Sequence, residues 1–373
     1  MSDNPTLKIE ESPEKSDTST SNYSNIVENA IKSFRSEIGK VNILIAGKTG
    51  VGKSTLINSI FHDNLAQTGT GKPVTQEITE ISKEGLPLSI IDSKGLELKE
   101  YNQIIGDLKE YVENRKANSD IRKHLHVAWV CIAEGSARIE EGEEELIKML
   151  LEYMPVIIVI TKCYTFDNGL QAKAKETFPD LNVMRVQSIP IKLEGGHEIK
   201  PKNLVELVLL TNNIIIPIIQ NAFIASQKVS LDLKKQQAES LIKYLMKDSK
   251  GITKNSELIN NIVYMITSIS GVYGFYLKME FVNDIVKIIF GENDSRLKKI
   301  IKSIYKKKSK TATKNNKVTG EEASELVGYI GELYLLTIIK SFKTKLGEMP
   351  TESEILQYIV NTLNKGTEKL NTN

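Results

Sequence analysis

The clearest chemistry in this 373-residue chain lies in eight consecutive residues, Gly47-Lys48-Thr49-Gly50-Val51-Gly52-Lys53-Ser54. They fit the spacing GxxxxGK[ST]. The apolar run Val41–Ala46 precedes them, and a helical segment from Lys53 to about Phe61 follows. Glycines let the backbone close around a phosphate and turn successive N–H groups inward. The helix that follows offers the positive end of its dipole to the same anion. The predicted ligand is therefore a triphosphate tail, wrapped by the amides of Thr49, Gly50, Val51, Gly52, Lys53, Ser54 and Thr55. In such a cradle Lys53 bridges the β- and γ-phosphates and the Ser54 hydroxyl ligates Mg²⁺.

Three further elements follow in order. Gly71-Lys72-Pro73-Val74-Thr75 reads as a loop before the second strand, where Thr75 would close over the γ-phosphate and its Mg²⁺ and share the catalytic role with Lys53. Asp92-Ser93-Lys94-Gly95 comes directly after the apolar run Leu88–Ile91, which places Asp92 to hold Mg²⁺ through water and the Gly95 N–H to sense the γ-phosphate. Thr161-Lys162 closes the run Val156–Ile160, where a base-binding loop belongs. Each pattern is common by itself; their order behind a full phosphate cradle gives them weight.

Positioning these residues requires a sheet. Short apolar runs at Val41–Ala46, Leu88–Ile91, Val127–Ala133, Val156–Ile160 and Val183–Val186 alternate with helical segments such as Leu96–Lys116 and Ile139–Tyr153. Near-continuous apolar strands of this length belong to a parallel sheet covered on both faces. The fold class is thus α/β: a three-layer domain with a mostly parallel sheet, followed by an all-α C-terminal domain. The expected division is a disordered tail over 1–24, a sheet domain with a leading amphipathic helix over 25–215, and an all-helical domain over 216–373. A break is expected at Pro217, with a long stretch running on to Lys247. Further helices are expected at Ser256–Leu277, Phe281–Phe290, Ser295–Lys306, Glu321–Leu346 and Thr351–Asn364.

The ordered set of cradle, Pro73-Val74-Thr75, Asp92-Ser93-Lys94-Gly95 and Thr161-Lys162 resembles the G domain of the Era-like GTPases of the TRAFAC class. Within them it is similar to a group whose P-loop G domain precedes a poorly characterised helical domain. The resemblance spans about residues 40–215 and implies GTP as ligand and substrate, Mg²⁺ as cofactor, slow hydrolysis, and switch segments around Thr75 and Gly95. Two positions depart from the pattern. Tyr164 stands where the family carries the Asp that selects guanine, a type of contact worth about 1–3 kcal/mol of discrimination. Lys162 still covers the base with its stem, Asp167 is a candidate substitute, and Ser188 is placed to donate a backbone N–H to the guanine carbonyl. Leu96 stands where Ras-like enzymes orient the attacking water with Gln. Gly50 occupies the Asn position of potassium-activated relatives, so no potassium stimulation is expected. Two alternatives stay open: an ATP-preferring or unselective NTPase, and a nucleotide-binding scaffold without meaningful turnover.

Composition bounds the rest. Apolar residues make up 40% and charged residues 26%, a soluble mixture, and the net charge of +2 excludes a polycation that coats nucleic acid. Residues 1–220 carry 25 Lys and Arg against 31 Asp and Glu, and the remainder 24 against 16. The polar, acidic start does not read as a secretory leader, no apolar run reaches membrane-span length, and two cysteines make no disulfide scaffold. The expected location is cytoplasmic, with a peripheral place at a membrane as its variant. The histidines read as structural, and Cys131, Cys163 and Trp129 as core. Asp294–Lys308 forms a basic amphipathic pattern that reads first as a packed helix, then as a contact for a membrane surface or an acidic partner. A homodimer through the G domain is the other expected partner, and no DNA.

Overall fold

The computed structural model describes residues 25–33, 38–62, 65, 70–73, 78–83, 86–93, 101–164, 167–193, 195–252, 254–275, 277–290, 320–344, 351–357 and 361. Thr75, Lys94, Gly95, Leu96 and the Asp294–Lys308 pattern lie outside them.

Residues 25–33 form α1. β1 (Val41–Ala46), β4 (Leu88–Ser93), β5 (Val127–Ala133), β6 (Val156–Thr161) and β7 (Asn182–Arg185) pair in parallel, and β2 (Thr70–Pro73) and β3 (Ile78–Ser82) complete the edge antiparallel. The strand order is β2-β3-β4-β1-β5-β6-β7. Every residue of β1 and β6 is buried, as a strand covered on both faces requires. Alternation sorts the two faces. Ile43, Ile45, Ile157 and Val159 enter one apolar layer with α2 (Lys53–Ile60), α6 (Leu204–Ile214) and α7 (Pro217–Ser226). Leu44, Ala46, Ile158 and Ile160 enter the other, against α3 (Tyr101–Lys116), α4 (Glu141–Leu151) and α5 (Leu170–Thr177). This is the three-layer α/β arrangement, and its central strands carry the cradle, Asp92 and Thr161 to one edge of the sheet.

The edge differs from expectation. Gly71, Lys72 and Pro73 belong to a strand, not a loop. Glycine and proline depress strand propensity, and only an edge position tolerates the missing N–H of Pro73. A short hairpin, β8 (Ile191–Lys192) with β9 (Glu198–Ile199), also escapes the apolar pattern.

The C-terminal part is helical: α8 (Leu231–Ser249), α9 (Asn255–Val272), α10 (Met279–Phe290) and α11 (Gly320–Thr344). The stretch expected to run to Lys247 is broken after Ser226, and α8 starts at a Ser230 cap. Its core gathers Leu258, Ile262, Ile266, Val282, Val327 and Ile338. Apolar packing also assigns the flanking helices: Val27 and Ala30 of α1 join the helical core, whereas Ile219, Ala222 and Phe223 of α7 join the sheet layer. No described helix is long and apolar enough to cross a membrane.

Candidate functional site

β1 delivers the chain into the cradle at Gly47, where φ is 142°. A Cβ there would stand 2.2 Å from the Cys131 carbonyl oxygen of β5, so the strand next door admits only glycine. Gly50 (φ 77°) and Gly52 (φ 106°) hold left-handed conformations that L side chains resist, and Gly52 is the N-cap of α2. No side chain caps α2 and no acid sits in its first turn. The amides that a Ser or Asp cap would normally occupy are thus left to a ligand.

Lys53 is 9% exposed, and its ammonium donates to the carbonyls of Gly47 at 2.8 Å and Lys48 at 3.3 Å. Ser54, Thr49 and Gly50 are exposed and Thr55 is half-buried. The parallel register sets Asp92 opposite Ile45, next to the end of β1. Its Oδ1 is buried without a hydrogen-bond partner. Burial raises its pKa, and the Lys53 charge works against that rise. A hydroxyl at the helix start and an uncommitted carboxylate oxygen beside the lysine are a donor set suited to a hydrated Mg²⁺, a hard cation that keeps several waters. Among the described residues no cluster of three His, Cys, Asp or Glu offers another metal centre. His126 is occupied in the structure: its Nδ1 accepts from the Asn42 N–H at 2.8 Å.

Thr161 is brought to the cradle in a way the sequence does not announce. Its buried hydroxyl donates to the Val51 carbonyl at 2.6 Å, tying the end of β6 to the phosphate loop. Lys162 follows with φ 56° and an exposed side chain; a Cβ on Gly52 would lie 3.9 Å from its Cε, so its stem lies alongside the cradle. Cys163 is buried beneath the loop and Tyr164 is 45% exposed. Asp167 spends one carboxylate oxygen on the Gly169 N–H, in the turn that leads into α5. Ser188 comes next to α2, where its carbonyl accepts from the Ser59 hydroxyl at 3.0 Å.

Two supports were missed from sequence. Buried Glu134 pairs with Arg185, whose Nε donates to Oε1 at 2.7 Å, and the Glu134 carbonyl receives the Asn168 amide at 2.6 Å. Together they tie Asn168, at the entry to α5, to the end of β5 and to β7. Lys48 reaches Glu140 at 2.5 Å and Glu143 at 4.0 Å, and these two glutamates form the capping box of α4. The Glu140/Glu143 spacing is legible as a cap; its lysine partner is known only once the cradle is folded.

Residues 42–162, less than half of the chain, match the family described as 50S ribosome-binding GTPase. These residues form a G domain of the P-loop GTPase superfamily. The chain is similar to translocase of chloroplast 108 from Physcomitrium patens, with 38% identity over 86 residues, 21% of this chain and 8% of that protein. It is also similar to the tRNA modification GTPase MnmE from Bordetella petrii, with 27% identity over 137 residues, 36% of this chain and 28% of that protein. The match therefore spans less than a third of either relative. The crystal structure of Cdc11 from Saccharomyces cerevisiae shares 18% identity over 46% of this chain and 75% of that chain, at a TM-score of 0.29.

Proposed function

We propose that the chain is a Mg²⁺-dependent GTPase of the Era-like type, in which nucleotide state alters how the helical region meets a partner. The observation that carries this reading is the uncapped start of α2, with the Lys53 ammonium on the loop carbonyls and the unpaired Asp92 Oδ1 beside it. The amides from Thr49 to Thr55 wrap the phosphates, and the Lys53 ammonium faces the β- and γ-phosphates. Ser54, Thr75 and, through water, Asp92 would hold the metal, which would supply positive charge against the phosphate oxygens. Thr75 and the Gly95 N–H respond to the γ-phosphate. Lys162 lies against the base, Thr161 positions the loop, and Ser188 supplies an N–H to the guanine carbonyl.

Water attacks the γ-phosphorus in line as the bond from that phosphorus to the bridging oxygen breaks. GDP leaves with the bridging oxygen, and the water's two protons pass to the released inorganic phosphate and to solvent. With Leu96 after Gly95, no side chain at that position orients the water. Intrinsic turnover is therefore expected at about 10⁻⁴ to 10⁻² per second. A second copy docking through the G domain would complete the site. The protein acts in the cytoplasm, and the basic 294–308 pattern offers a contact for a membrane surface or an acidic partner.

Exposed Tyr164, in place of a base-reading carboxylate, favours a second reading, a nucleotide site that selects weakly between GTP and ATP. Competition of GTP and ATP for a bound fluorescent GDP analogue separates the two. GTP displacing the analogue at least about tenfold better than ATP supports the GTPase. Equal displacement supports the unselective site.

A further inference from the structure

The end of α2 remote from the cradle is fastened to the helical region by bonds that phosphate binding does not call for. A helix leaves its last carbonyls without intrahelical partners. In α2 two of them go to one residue: the Lys228 N–H donates to the Ile60 carbonyl at 2.9 Å and its ammonium to the Asn58 carbonyl at 2.7 Å. Phe61 and Gln227 bridge antiparallel beside them. Gln227 is fully buried and organises the turn into α8, its side-chain oxygen accepting from the N–H groups of Val229 and Ser230, both at 2.7 Å.

One turn into α8 lies Lys234, fully buried. An ammonium has three donors, and here each has its own acceptor: Ile224 O at 2.7 Å, Ala225 O at 3.0 Å and Val272 O at 2.7 Å. The first two lie in the last turn of α7, which packs on the sheet; the third is the last residue of α9, in the helical core. The negative ends of two helix dipoles thus converge on one cation. Burying the ammonium carries a desolvation cost that these three bonds offset, and an apolar replacement would leave the three carbonyls without this donor. Burial pushes its pKa down.

We propose that Lys228 and Lys234 form a mechanical joint through which the position of α2 sets the placement of α9 in the helical region. The joint deepens the GTPase reading: α2 holds phosphates at one end and the joint at the other, and its eight residues make a rod about 12 Å long. Coupling of this kind is reciprocal, so a ligand at the cradle changes the opening of α9.

The test is hydrogen exchange on the full chain with and without Mg·GDP, in the wild type, Lys228→Met and Lys234→Met. Lys228 donates to the carbonyls of α2 and not to the three acceptors of Lys234, which keeps the test informative if Lys234→Met folds poorly. In the wild type, Mg·GDP is expected to slow exchange in 53–60 and, by at least about threefold, in 255–272. In both variants protection of 53–60 stays and that of 255–272 disappears. Persistence of the second protection in Lys228→Met, or its absence from a wild type protected at 53–60, overturns the joint. If Mg·GDP protects neither segment of the wild type, the GTPase reading has failed. The joint then stands on urea unfolding, which uses no ligand. Fluorescence of Trp129, the one tryptophan, stacked on Phe61, follows the sheet side alone, and far-UV circular dichroism follows the helices of both parts, α8–α11 included. Coincident midpoints in the wild type that separate in both variants support the joint, and midpoints that stay coincident in Lys228→Met overturn it.

Discussion

Replacing Thr161 by valine removes one oxygen and keeps the shape. The hydroxyl donates to Val51 O at 2.6 Å and lies 3.3 Å from Ile132 O, both in the buried seam between β6 and the cradle. Valine leaves the Val51 carbonyl without this donor in a place water does not reach. Such a loss costs about 1–3 kcal/mol. Val51 is itself a cradle residue, so the cost falls on the order of the phosphate loop. Expressed wholly in nucleotide binding it amounts to roughly a 5- to 150-fold loss of affinity. The assay is release of a fluorescent GDP analogue under Mg²⁺, run beside urea unfolding of the nucleotide-free protein. Thr161→Ser, which keeps the donor, is expected within about threefold of the wild type. If Thr161→Val matches the wild type in both release rate and stability, the hydroxyl does not order the cradle and this reasoning is refuted.

Two further outcomes follow from titrating groups. Burial, with the charges of Lys234 and Lys228 adding to it, pushes the His62 pKa down to about 3. The unfolded chain then binds a proton that the native chain refuses, so stability is lost as pH falls from about 6.5 toward 3, with a slope of about 1.4 kcal/mol per pH unit from this group. Urea unfolding between pH 7 and 4 is expected to show that slope reduced by one proton in His62→Leu; an unchanged slope contradicts it. Asp92 has its pKa raised by burial against the opposing Lys53 charge, so the native chain holds this proton longer than the unfolded chain, and stability falls as pH rises through the native value. Asp92→Asn is therefore expected to raise the thermal midpoint of the nucleotide-free protein at neutral pH while weakening the Mg²⁺ dependence of GDP release. A lower midpoint with unaltered Mg²⁺ dependence runs against both halves of the argument.

Much of the sheet domain is legible because its strands are buried on both faces: VNILIA and VIIVIT are apolar at nearly every position and cannot be exposed. The cradle is legible because its glycines are demanded by geometry, Gly47 by the Cys131 carbonyl and Gly52 by its left-handed backbone. The break at Pro217 is legible because proline is pre-organised for the first turn of a helix and cannot sit inside one. What escapes is decided by tertiary partners. Gly71–Pro73 pairs at an edge despite poor propensity, because β3 supplies the template. Lys234 reads as one more lysine on a polar helix face until three carbonyls from two other helices close around it. Thr161 reads as part of a base-binding loop, and its bond to Val51 joins residues 110 positions apart. Arg185 and Glu134 carry no local sign of pairing, being 51 residues apart at the ends of β7 and β5, two strands apart in the sheet.

The most direct trial of the central claim is titration calorimetry of the full chain with Mg·GDP and Mg·GTP, in the wild type and in Lys53→Met. A wild type that binds both nucleotides with micromolar or tighter affinity, and a variant at least about 100-fold weaker, is the predicted result. A wild type that gives no heat with either nucleotide, or a variant that binds as tightly as the wild type, would contradict the assignment of the 47–54 loop.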